Sequence, residues 1–245
     1  MPRFFIERDR MSSGAVEIKG EDARHIALSL RMAVGDTLVL CDGEGYEYTA
    51  SIESINPQCV LLSCGKGRQS FSEPPCFITL YQCIPKSDKF DTIIQKAVEC
   101  GVSRIVPVRS SRCIAVVKGE KEEKRLERWN RIALEAAKQS GRGRVPKVMP
   151  PENIAVSAEK ILASCVGFAC YENEHGNMLS DFLPVDKKPG DISFLIGPEG
   201  GLSEEEAALF RGHTCSLGNR ILRTETASSF VLSSVSFLYE MSLKY

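Results

Sequence analysis

Apolar positions change their spacing partway along the chain. Before residue 65 they come in short runs broken by turn residues. Thr37-Leu38-Val39-Leu40-Cys41 leads into Asp42-Gly43-Glu44-Gly45, a run over 46–55 follows, and Asn56-Pro57 interrupts before 59–63. Short runs with this punctuation predict a small β-rich module. Within it Ala23, Ile26, Ala27 and Leu30 share one face of a helix over 22–32. Residues 65–75 hold Gly65, Gly67, Ser70, Ser72, Pro74 and Pro75 with almost nothing apolar, and read as a linker. The expected organisation is therefore a first domain over 1–72 and a second over 73–245.

After the linker, strand-length apolar runs alternate with helical spacing. Strands are expected over 77–84, 105–108, 166–171, 192–196 and 214–217. Helices are expected over 88–100, ending at Gly101, and over 126–140, ending at Gly141. Ser203 with Glu206 three residues on is a capping box for a further helix, and 226–243 form the last one. Strand and helix in alternation imply an α/β domain with a parallel sheet covered on both faces. Phe230, Val231, Val235, Leu238 and Met241 form an apolar stripe on the final helix, which suits either the core or a subunit interface.

A hydrophobic fraction of 43% supplies a core, and 26% charged residues is ordinary. The first ten residues are charged throughout, which argues against a secretory signal and leads us to expect a cytoplasmic protein. No apolar stretch approaches the roughly 20 residues a membrane span needs. Ten cysteines include no CxxC pair, and three histidines lie far apart, so no metal is expected and the thiols read as reduced and buried. The net charge of −1 hides an asymmetry. Residues 85–150 carry 16 Lys and Arg against 8 Asp and Glu, whereas 151–245 carry 7 against 13. A local basic segment can bind phosphates in a neutral chain. The mixed-sign run 120–131 reads as a solvated helix face. Arg142, Arg144 and Lys147 lie beyond it in a Gly-rich turn and are candidate RNA contacts, together with Arg31, Lys86 and Arg112. Trp129, among apolar neighbours on a helix, reads as packing, and His25 more as core than as an RNA contact.

Two glycine-bearing loops carry the chemistry: Leu195-Ile196-Gly197-Pro198-Glu199-Gly200-Gly201, and Leu217-Gly218-Asn219-Arg220-Ile221-Leu222-Arg223-Thr224-Glu225-Thr226-Ala227. Both fall where a strand gives way to a helix, the place where open α/β sheets bind ligands. Glycine lets a bare backbone approach such a ligand. No GxxxxGK[ST] is present, and no GxGxxG follows the first strand of the sheet. The acids Glu199 and Glu204 to Glu206 disfavour a polyphosphate more than a sulfonium.

Together these loops resemble the cofactor loops of the knotted SPOUT methyltransferases, and most of all the family that methylates N3 of a uridine in 16S ribosomal RNA, ribosomal RNA small subunit methyltransferase E. The resemblance spans nearly the whole chain. Weaker matches are Arg3-Phe4-Phe5, His25 through Arg31, Lys86, Asp88, Lys89, Lys96, Arg128-Trp129, Gln139-Ser140 and Arg142. It implies a C-terminal trefoil-knot domain, a PUA-like N-terminal β-barrel that binds RNA, and a homodimer formed in part by the last helix. The implied cofactor is S-adenosylmethionine, held by Leu195, Ile196, Gly197, Gly200, Gly201, Leu217, Gly218, Ile221 and Leu222. The implied substrate is 16S ribosomal RNA, in the small ribosomal subunit; the alternatives are a SPOUT methyltransferase acting on a ribose 2′-hydroxyl or a transfer RNA, or a non-catalytic RNA-binding ribosome-assembly factor. Arg223 and Glu225 are the candidate catalytic pair: a carboxylate to take the uridine N3 proton and an arginine to meet charge on the uracil carbonyls. The alternative for both is an ion pair that holds the knot.

Overall fold

The computed structural model describes residues 1–8, 14–86, 89–113 and 119–241. Residue contacts divide the chain into two compact units. One is Met1–Glu73 with Ala137–Val145, and the other is Pro74–Ala136 with Pro146–Tyr245.

The first unit is a six-stranded sheet of β1 (Arg3–Phe5), β2 (Ala15–Lys19), β3 (Thr37–Cys41), β4 (Tyr46–Ile55), β5 (Cys59–Cys64) and β6 (Arg68–Gln69), in the order β1-β3-β4-β5-β2 with β6 on β4. Period-two alternation puts Val16, Ile18, Leu38, Leu40, Ala50, Ile52, Val60 and Leu62 into one core with Phe4. Turn chemistry sets the register. Asp42 Oδ1 accepts from the Glu44 and Tyr46 amides, and Asn56 Oδ1 from those of Gln58 and Cys59. The helix expected over 22–32 is shorter: α1 (Glu21–Arg24) passes into a wider π-type turn over His25–Ser29. Ala23 and Ile26 are buried, but Leu30 is exposed, and Arg31 takes a positive φ of 51°. His25 is not core; it is exposed, edge-on to Phe4.

The stretch read as a linker is largely folded. β6 pairs with Tyr46 and Glu47, and Ser70 is buried. The Glu73 carboxylate accepts from Arg142 Nε and Nη2 at 3.0 and 2.8 Å, and from the amides of Gly143 and Arg144 at 2.9 and 3.0 Å. That cluster places the turn over 137–145 in the first unit, where a single cut after residue 72 would not put it.

The second unit holds β7 (Phe77–Cys83), α2 (Lys89–Glu99), β8 (Arg104–Arg109), most of α3 (Glu120–Gln139), β9 (Lys147–Val148), β10 (Glu152–Asn153), α4 (Ile154–Leu162), β11 (Val166–Cys170), α5 (Leu179–Phe182), β12 (Asp191–Ile196), α6 (Glu204–Ala208), β13 (Thr214–Cys215) and α7 (Thr224–Ser236). The sheet order is β10-β8-β7-β12-β11-β13, with β9 beside β8, and every pairing among the described residues is parallel. α3 begins six residues before its expected start, because a charged amphipathic turn precedes the apolar part. α4 was not expected; Asn153 caps it by accepting from the Ala155 amide. Asp88, the expected start of α2, and residues 242–243 of the last helix lie outside the described residues.

Ser203 and Glu206 form the expected capping box in both directions. Trp129 is buried on Phe90, with ring centroids 4.4 Å apart. The stripe on the last helix divides: Val231 and Val235 are buried, while Phe230 and Met241 are exposed, as is neighbouring Phe237. β11 needs its glycine, for a Cβ on Gly167 would overlap the backbone oxygen of Ile161 at the end of α4. All ten cysteines are free thiols, but only Cys41, Cys76, Cys83 and Cys215 are buried and Cys165 is exposed. Among the described residues no helix is long and apolar enough to cross a membrane, and no group of His, Cys, Asp or Glu could hold a metal.

Candidate functional site

Three neighbouring parallel strands, β12, β11 and β13, end at the same edge of the sheet, and the chain after each lines one cavity of about 820 Å³. That volume suits a ligand the size of a nucleoside with a side arm. Ile196, Gly197, Gly200, Gly201, Leu217, Gly218, Ile221, Leu222 and Arg223 all border it. Leu195 does not; it stands one residue back, fully buried in the core. Ile221, though it borders the cavity, is 90% exposed. Gly201 has a φ of 68°, and a Cβ there would overlap the Glu172 carboxylate. The left-handed φ is what calls for glycine here, since the carboxylate is the free end of an exposed side chain that can swing aside.

A buried clasp joins the loops. Thr224 Oγ1 donates to the Gly197 carbonyl at 2.8 Å and accepts from Gln82 Nε2 at 2.9 Å. Gln82 also donates to the Cys83 carbonyl at 3.0 Å, with the Ile196 carbonyl 3.4 Å away. One amide thus ties the end of β7 to the end of β12 and the start of α7. Arg112, expected as an RNA contact, is committed to the same loop, with Nη1 donating to the carbonyls of Gly200 and Leu202 at 2.5 and 3.3 Å.

Charge around the cavity is divided. Lys89 Nζ lies 3.0 Å from Glu199 and 3.8 Å from Glu225. Burial pushes the Glu199 carboxyl up, but Lys89 and the Lys86 amide outweigh it and hold it below its ordinary range. Glu225, on the first turn of α7, is not itself a lining residue, though Lys89, which lines the cavity, is 3.8 Å from its Oε2; that oxygen is buried without a hydrogen-bond partner among the described residues. Arg223 is exposed and pairs with no acid there, so the Arg223–Glu225 ion pair weighed as a structural alternative is not formed. In the segment after β11, Glu174 accepts from Thr214 Oγ1 and from the Gly176 and Asn177 amides. Those bonds, the Thr214 hydroxyl first, lower its carboxyl.

The other expected RNA contacts fall in different settings. Arg142 is 2% exposed and bound to Glu73, so its charge is spent inside the first unit rather than offered to phosphate. Arg144 is half-buried, with Nη2 donating to the Glu44 carbonyl. Arg31, Lys86 and Lys147 are exposed. The sequence reading missed Lys89, Gln82, Thr224, Glu172 and Glu174 as site residues. The rule that ligands sit at strand ends would have drawn in 171–178 after β11, but only the glycine loops stood out in the sequence.

The model of an RNA methyltransferase domain matches residues 72–236, and that of an RNA methyltransferase PUA domain matches residues 18–62. The chain is 33% identical to the ribosomal RNA small subunit methyltransferase E of Bacillus subtilis, over 98% of each chain. Among solved structures it is similar to a ribosomal RNA small subunit methyltransferase E from Neisseria gonorrhoeae bound to S-adenosyl methionine, at 32% identity, TM-score 0.87 and 98% coverage of both chains. A putative methyltransferase from Legionella pneumophila in complex with the cofactor SAM matches at 31% identity, TM-score 0.83 and 96% coverage of both chains. These likenesses bear out the fold class expected from the loops, a knotted α/β methyltransferase domain with a PUA-like N-terminal domain.

Proposed function

Because the chain belongs to the ribosomal RNA small subunit methyltransferase E family, we propose that it methylates N3 of a uridine in 16S ribosomal RNA, using S-adenosylmethionine. The observation that carries this reading is the cavity where β12, β11 and β13 end, walled by backbone at Gly197, Gly201 and Gly218. Its size and bare amides fit the cofactor, which supplies the methyl group when bound. Gly197, Gly201, Leu217, Gly218, Ile221 and Leu222 hold it by close backbone approach. Uridine N3 must lose a proton, and Glu225 is the base that takes it. Arg223, which lines the cavity and pairs with no acid among the described residues, meets the negative charge that develops on the uracil carbonyls. Lys89, between Glu199 and Glu225, keeps two carboxylates close together without full mutual repulsion. Exposed Arg31, Lys86 and Lys147 and half-buried Arg144 contribute phosphate contacts. The exposed Phe230, Phe237 and Met241 on the last helix support assembly as a homodimer.

The test is direct. Small subunits from cells lacking the gene are incubated with the purified protein and S-adenosylmethionine, and the RNA is digested to nucleosides for mass spectrometry. 3-Methyluridine from one site is expected. A 2′-O-methyl nucleoside, or no new modification, would overturn the assignment.

A further inference from the structure

The three carboxylates around the cavity differ in what they already hold. Glu174 is saturated by a hydroxyl and two amides. Glu199 takes the Lys86 amide and the Lys89 ammonium. Glu172 lines the same cavity and makes no hydrogen bond or ion pair with any described residue. Glu172 is exposed. The carboxylate lies against the Cα of Gly201, where any Cβ would displace it. Arg220 and Arg223 border the cavity too, yet neither pairs with it. A carboxylate that lines a ligand cavity and has no partner among the described residues is complementary to a cation brought by the ligand.

We propose that Glu172 reads the positive charge of S-adenosylmethionine, carried by its sulfonium or its α-ammonium. The proposal rests on the cofactor reading given above. It gives Gly201 a second task beyond its backbone angle: no side chain stands between Glu172 and the ligand. If the charge read is the sulfonium, the same carboxylate favours the cofactor over its neutral thioether product, S-adenosylhomocysteine. If it is the ammonium, Glu172 fixes the amino-acid arm.

Calorimetric titration of wild type and Glu172→Gln with three ligands decides. Gln keeps the shape and removes the charge, and because Glu172 bonds to no described residue, the variant should melt within about 1 °C of wild type without ligand. A loss of about tenfold in S-adenosylmethionine affinity is expected. S-Adenosylhomocysteine unaffected by the change assigns Glu172 to the sulfonium. S-Adenosylhomocysteine weakened equally, with 5′-methylthioadenosine unaffected, assigns it to the ammonium. Either result supports charge reading. Unchanged affinity for S-adenosylmethionine overturns it, and so does equal weakening of all three ligands, which would place Glu172 on the nucleoside. Failure of wild type itself to bind S-adenosylmethionine would instead bring down the cofactor reading, and this proposal with it.

Discussion

Replacing Thr224 with Val tests whether the clasp between the loops holds the site together. Valine has nearly the same shape, so no cavity opens, but the hydroxyl that both donates to the Gly197 carbonyl and accepts from Gln82 disappears. Thr224 is 5% exposed and Gln82 fully buried, so water does not readily replace either bond. Gln82 keeps its bond to Cys83 but loses its partner at residue 224. Two net hydrogen bonds of about 1 kcal/mol each, plus part of the desolvation cost of a stranded N–H, come to roughly 2–3 kcal/mol. For a chain of this size that lowers Tm by roughly 4–12 °C. The S-adenosylmethionine Kd should rise as well, because the carbonyl that is released belongs to the cavity loop. Thr224→Ser keeps the hydroxyl and loses only a methyl, about 0.8 kcal/mol. Thermal melts and calorimetric titrations of the three proteins make the comparison. If Thr224→Val melts within about 1 °C of wild type, or if Ser damages the protein as much as Val, the bonds do not support the site.

Glu225→Gln should retain S-adenosylmethionine and RNA binding and lose turnover by about 10²–10⁴-fold, part of it recovered at higher pH; normal single-turnover rates would remove Glu225 as the base. In the first unit, burial pushes the Glu47 carboxyl up, but bonds from Arg3 and Arg68 outweigh this and leave it lowered. A lowered folded pKa adds stability above the ordinary carboxylate pKa of about 4.3, and this is lost as pH falls through the folded value. Hydrogen exchange of β3 and β4 amides should therefore show Glu47→Gln less protected than wild type at neutral pH, the gap closing below about pH 4; a gap independent of pH would refute the assignment. Arg142→Ala should cost about 3–5 kcal/mol in urea unfolding, since it strands Glu73, whereas an unchanged midpoint would mean the pair is dispensable. Lys147→Ala should leave that midpoint alone and reduce the salt slope of RNA binding by about one; an unchanged slope places the RNA elsewhere.

Much of this protein was legible from neighbouring residues alone. The short apolar runs and turn residues in 37–63 placed the strands, because both signals are read from adjacent positions. The Ser203–Glu206 box and the glycine loops at strand ends were equally local signals, and they located the cavity. The sequence failed where the outcome hangs on distant partners. Arg142 looked like a phosphate contact in a Gly-rich turn, yet it is buried against an acid 69 positions away. The stretch 65–73 looked like a linker, because nothing in Gly and Ser announces that Glu47 and Tyr46 will pair with it. Leu195 and Ile196 are adjacent and alike, but only the second reaches the cavity, since successive strand residues face opposite sides. Glu172, Glu174 and Glu199 are chemically the same residue. Only the closed fold decides which is bonded by amides, which is held by Lys89 and which lines the cavity with no partner among the described residues, because a carboxylate takes its character from the donors that tertiary structure brings to it.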